Sequence, residues 1–202
     1  MKRYRNIIII FGVVVLLAAM TIALSTSQMF AIGERYRQSI NNPDNTVVAT
    51  YKGQKITREM VDFRLATNSS GLTEDQIITD LLIDLIVLDE AKQLGITITD
   101  EEVADHIAYL KDVYTNYPEA KETIDEFCAG AGITIDRYWE IQSERTYNVL
   151  LQGKYEMRFK DNYNSSSTIT NNSPDKQDVW DAYELFRQQL LQEHSDDITY
   201  YP

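Results

Sequence analysis

The 202-residue chain carries 31 acidic against 19 basic side chains, for a net charge of −12, and its hydrophobic content of 44% is ordinary for a folded protein. Lys2, Arg3 and Arg5 are the only charged residues before Glu34, so the rest of the chain holds 16 bases against 31 acids, or −15. A surface that acidic argues against nucleic acid and against direct docking on anionic headgroups. The single cysteine, Cys128, excludes a disulfide scaffold within one chain.

The chain opens on the basic patch MKRYRN, followed by Ile7 to Leu24, eighteen residues without a charge. As a helix that run would span about 27 Å, close to the roughly 30 Å hydrocarbon core of a bilayer. Residues 1–33 therefore read as a membrane anchor, or as a signal segment cleaved after ALS or MFA. Positive charges ahead of the apolar run place the N-terminus in the cytoplasm and the acidic portion outside. The expected location is the cell membrane, single-pass, or a secreted form if the segment is cleaved. No cysteine follows the run at a position suited to lipid attachment.

Residues 34–45 are polar, end in NNPDN and read as a tether. Thr46 to Thr57 is rich in β-branched residues around Lys52-Gly53, which predicts a short extended segment with a turn, then a helix capped by Thr57. That helix aims Met60, Phe63, Leu65 and Ala66 at a partner. LTEDQ is a capping box with Thr73 as cap and Gln76 three residues on, ahead of the wide apolar stripe Ile77, Ile78, Leu81, Leu82, Leu85, Ile86 and Leu88. This is the helix expected to be most buried, and Leu94-Gly95 ends it.

Thr99 and Glu102 form a second capping box, with Ile98 and Val103 as a hydrophobic staple. Val103, Ile107, Leu110 and Val113 make the stripe of the helix that follows. A short helix begins at Pro118 and leaves through Gly130 and Gly132, and a longer one is predicted over 137–160. Cys128 reads as a small buried hydrophobe. The stretch 162–174, NYNSSSTITNNSP, is a flexible linker. Ser173 and Pro174 then start a last helix, predicted over 175–194, whose Val179, Tyr183, Phe186 and Leu190 form one apolar face. Trp180 and Leu191 widen that face. Such a stripe must dock on the first helical block. Residues 195–202 are left as a tail.

Three phrases in this order, VVATYKGQKITREMVDFRL, LLIDLIVLDEAKQLGITITDEEV and AGITIDRYWE, resemble the N-terminal domain of the SurA/PrsA class of exported chaperones and foldases. The resemblance covers about Thr46 to Lys160. One departure is Lys52, where the family commonly has Asn before the turn Gly. A positive φ is harder for Lys. The resemblance implies an all-α fold with a minor β segment near 46–56. Its helical core, residues 46–161, is completed by the returning C-terminal helix and holds non-native polypeptides in a crevice. Many members insert a parvulin-type prolyl isomerase domain between the two parts. Here only thirteen residues stand there, too few for one.

No HExxH, CxxC, GxSxG or phosphate-binding glycine loop occurs. His106 reads as facing solvent or a groove edge, and His194 as lying near a fraying end. No enzyme activity, cofactor, metal, nucleic acid or small-molecule substrate is therefore expected. The leading expectation is an ATP-independent exported chaperone for unfolded or partly folded polypeptides. The alternatives are a dedicated adaptor for one envelope partner and, against the short linker, a prolyl isomerase. The aromatic side chains Tyr109, Tyr114, Tyr117 and Phe127 are the candidates for a client-binding groove wall, since such rings offer flat apolar area to varied partners.

Overall fold

The computed structural model describes residues 26–41, 44–67, 71–167 and 176–202. In chain order these form α1 (Thr26–Asn41), β1 (Val47–Tyr51), β2 (Gln54–Thr57), α2 (Arg58–Thr67), α3 (Glu74–Gln93), α4 (Asp100–Asn116), α5 (Pro118–Ala131), α6 (Ile135–Ser167) and α7 (Lys176–Glu193). A 3₁₀ turn (Ser195–Asp197) and β3 (Ile198–Tyr200) complete the chain. The fold is mostly helical with one small sheet. Among the described residues no helix is long and apolar enough to cross a membrane, and the run Ile7–Leu24 lies outside them.

The helix boundaries follow their local chemistry. Thr73 and Thr99 each accept from the backbone N–H three residues on, and Gln76 and Glu102 reach back to the cap N–H groups, so both capping boxes close. Thr57 Oγ1 accepts from the Met60 N–H at 3.4 Å at the start of α2. Gly95 and Gly132 end α3 and α5 with φ of 68° and 66°.

The core is built around α3, where Ile77, Leu82, Ile83, Ile86 and Ala91 are at most 1% exposed. Against it pack Ala49, Tyr51 and Ile56 of the sheet, Val61 of α2, Leu150, Leu151 and Tyr155 of α6, and Leu190 of α7. Burying each large apolar side chain contributes about 1.5–3 kcal/mol, and those from α6 and α7 close the core over α3. On α7, Val179, Tyr183 and Leu190 are buried. Phe186 stacks 4.8 Å from Phe159 and 6.2 Å from Tyr155. Trp180 is half exposed instead, with the Lys160 ammonium 3.2 Å over its ring. Arg187 reaches Asp84 of α3 at 3.7 Å, and Arg64 of α2 reaches the same carboxylate at 3.0 Å.

Several sequence expectations change. Residues 34–41, read as tether, are the second half of α1, which lies along α5. The seam works because neither helix has a side chain at the crossing. A Cβ on Gly33 would sit 2.2 Å from the Phe127 carbonyl oxygen, and one on Gly130 would sit 2.0 Å from that of Phe30. Gly130 thus serves the crossing, and Gly132 alone makes the exit. Tyr36 extends the seam, with its ring 5.7 Å from Phe127 and 5.9 Å from Phe63. Residues 162–167, read as linker, continue α6, and the Tyr163 ring stacks 6.1 Å from Phe159. The rest of the linker, with the Ser173-Pro174 start, lies outside the described residues.

The tail 195–202 is also structured. It supplies β3, which pairs antiparallel with β1, so the sheet order is β2-β1-β3. The β1–β2 hairpin turns through Lys52-Gly53, both with positive φ, 46° and 79°. Lys52 tolerates this conformation because the fold holds both its ends. Its N–H donates to the Asp197 carbonyl at 3.1 Å, and its ammonium donates to Asp89 at 2.7 Å. His194 is likewise not at a frayed end. Its Nδ1 lies 3.2 Å from the Tyr51 hydroxyl and its Nε2 lies 3.1 Å from Glu90. The Tyr51 hydroxyl donates to Asp89 at 2.9 Å. This network ties the hairpin, α3 and the C-terminal segment together.

Candidate functional site

The four aromatic candidates do not form one wall. Tyr114 turns its hydroxyl to Asp125, 2.7 Å away, and its ring edge to Trp139 at 5.7 Å. Phe127 is packed between Tyr36 and Tyr138. Tyr109 is half-buried on α4, and Tyr117 is exposed at the joint between α4 and α5. The physical reason is the seam with α1. Once α1 covers α5, Phe127 is packing for that seam, and Tyr114 belongs to an aromatic run continuing through Trp139 and Tyr138.

An open apolar groove lies elsewhere, between α4 and α6. It has a volume of about 530 Å³ and is lined by Val103, Ala104, Ile107 and Ala108 from α4, Ser143 and Tyr147 from α6, and Asp100 and Lys111 at its ends. It is open because Ala104 and Ala108, four residues apart on one face, are too small to meet α6. Ile107 forms the floor at 8% exposure, and the Tyr147 ring stands 38% exposed at the edge. From Asp100 to Lys111 the helix rises about 17 Å, which accommodates about five residues of extended chain.

The two helices are fixed at one end by Lys154 of α6. Its ammonium donates to the Thr97 carbonyl and to Glu102, both at 2.8 Å. Burial opposes ionisation of Glu102, but the Lys154 ammonium and the Thr99 N–H outweigh it and hold the carboxyl below its ordinary range. Lys154 therefore ties α6 to the N-terminus of α4. A second groove of about 660 Å³ lies beside α1 and α2. It is lined by charges of both signs, including Arg35, Arg37, Asp44, Glu59 and Asp62. That lining suits an apolar segment poorly.

Neither histidine stands where the sequence places it. His106 is 3% exposed, and its Nδ1 has no hydrogen-bond partner among the described residues. Burial holds this imidazole below its ordinary range, so it is neutral at pH 7. Cys128 is buried, and burial pushes its thiol up to about 11, which leaves it protonated and inert. Among the described residues no group of three or more His, Cys, Asp or Glu side chains is placed to hold a metal ion.

The groove is not legible in the sequence because its α4 wall is made of small and aliphatic side chains rather than large aromatic ones. The available signal was the pair Ala104 and Ala108 beside Val103 and Ile107, an apolar surface with little volume. Comparison with protein-family models, with curated proteins and with solved structures found no match.

Proposed function

We propose that the chain is an exported, membrane-anchored, ATP-independent chaperone that binds non-native polypeptide segments in the α4–α6 groove and catalyses no reaction. The anchor is the run 7–24, with the N-terminus cytoplasmic and the helical domain outside. The observation that carries the reading is an open apolar groove on a core already closed by its returning helix. Such a groove presents apolar surface to a partner without exposing the protein's own core. The SurA/PrsA-like phrases support it, since they occupy β1, β2, α2, α3, the start of α4 and the start of α6. Eight residues separate α6 from α7, which leaves no room for an isomerase domain.

The test is suppression of aggregation. Full-length chain in lipid nanodiscs, without ATP, should slow light scattering by several unrelated unfolded proteins at stoichiometric ratios, relative to empty nanodiscs. No protection of any client overturns the reading. The shortness of the groove favours a second reading, a dedicated adaptor that takes one envelope partner. Protection of a single client, with one dominant partner in pull-downs, would select it.

A further inference from the structure

We infer that the α4–α6 groove selects polypeptide segments whose apolar residues are flanked by lysine or arginine. The inference rests on the polypeptide-binding reading of that groove and adds its charge preference. The floor is apolar and uncharged, but the lips are acidic in a regular way. Ala104, Ala108, Ser143 and Tyr147 are each preceded, three residues earlier, by an exposed carboxylate: Glu101, Asp105, Glu140 and Glu144. Residues three apart on a helix are surface neighbours, so both lips carry acids on their solvent side. Asp100 adds a further carboxylate at one end.

The cations nearby offset the carboxylates of the α6 lip but not those of the α4 lip. Arg137 is spent on α6, 2.8 Å from Glu140 and 3.9 Å from Glu144. Lys111 lies at the opposite end from Asp100, with its ammonium 5.8 Å over the Trp139 ring. Among the described residues no cation pairs with Asp100, Glu101 or Asp105. Those three carboxylates on the α4 lip are thus available to an incoming ammonium or guanidinium. An apolar stretch in the groove would place its flanking residues against them. A flanking acid would meet repulsion at the same points, and the net charge of −15 outside the first 33 residues reinforces the discrimination during encounter.

The experiment uses the full chain in nanodiscs of neutral lipid and two synthetic peptides. Both share one short apolar centre, flanked by lysines in one and by glutamates in the other. Binding is read by fluorescence anisotropy. At low salt the lysine-flanked peptide should bind about tenfold more tightly, and the gap should close at about 1 M salt, where charges further than about 3 Å apart are screened. Ala108→Trp, which fills the groove, should abolish binding of that peptide. The exposed double variant E101K/D105K should remove the preference, and it decides the matter if Ala108→Trp does not fold. Equal binding of both peptides, or a preference that survives E101K/D105K, overturns the inference. Aggregation suppression that persists with no charge preference removes this inference and leaves the chaperone reading. A charge preference without any aggregation suppression does the reverse.

Discussion

Replacing Gly130 by alanine sets two expectations of opposite sign against each other. In an exposed helix, Gly→Ala stabilises by about 1 kcal/mol through backbone entropy. At the α1–α5 crossing the new methyl would lie 2.0 Å from the Phe30 carbonyl oxygen, where ordinary contact begins at 3.4 Å. The helices must therefore move apart by more than about 1 Å, and a radial gap of about 1 Å already forfeits about half of the dispersion energy of each contact. Overpacking of this kind costs about 1–3 kcal/mol, occasionally more. The carbonyl is backbone and cannot rotate away, so the upper part of that range applies, and it outweighs the propensity gain. Net destabilisation of about 1–2 kcal/mol should lower Tm by about 2–8 °C. The assay is thermal unfolding of the full chain in detergent micelles, followed by far-UV circular dichroism, with proteolysis of α1 as a second readout. Gly33→Ala should behave alike, and the double variant should cost less than the sum because the two share one contact. A rise in Tm for Gly130→Ala would refute the crossing.

Two further perturbations test the buried polar groups. His106 is held neutral by burial. As the pH falls through 6.5 the unfolded chain takes up a proton that the folded chain refuses, and stability declines until the lower folded value is reached. His106→Leu removes an unpartnered buried nitrogen and should raise stability by about 1–3 kcal/mol at pH 7. It should also flatten the acid side of a urea-denaturation series run from pH 7.5 to 5 (about the range in which histidine titrates). An unchanged pH profile contradicts the placement. Tyr51→Phe strips the hydroxyl that meets both Asp89 and His194 and should cost about 1–3 kcal/mol, with amide exchange accelerating in β3 before the core of α3. Uniform acceleration would show that the C-terminal segment is not locked there.

What was legible in the sequence follows a physical pattern. Capping boxes are local, so Thr73 and Thr99 were readable to the residue. The stripe of α3, where large side chains repeat at helical spacing, was readable in part: Ile77, Ile78, Leu82 and Ile86 are buried as the spacing predicts, whereas Leu81, Leu85 and Leu88 are only partly buried and the buried Ile83 and Val87 fall outside the predicted stripe. The docking face of α7, with Val179, Tyr183 and Leu190 buried, was legible for the same reason. The α1–α5 seam was not, because its key feature is the absence of side chains at Gly33 and Gly130; Gly33 falls at the end of the segment read as anchor, and Gly130, two residues before Gly132, reads as part of a helix exit. The third strand was hidden because its three residues acquire their pairing only from β1, far away in the chain. The turn at Lys52 was legible in place but not in mechanism. What relieves its positive φ comes from Asp89 and Asp197, which no local rule connects to it. The groove escaped because it is defined by small residues, whereas Tyr114 and Phe127, the visible aromatics, are engaged in packing.

The most direct measurement places a photo-crosslinking amino acid, one position at a time, on the full chain in nanodiscs and exposes it to chemically unfolded proteins. Binding in the α4–α6 groove predicts adducts from positions 104, 108 and 143, which line it. It predicts none above background from position 185, where Leu185 is 63% exposed on α7 away from the groove. Adducts of equal yield at position 185, or none at positions 104, 108 and 143, would contradict it.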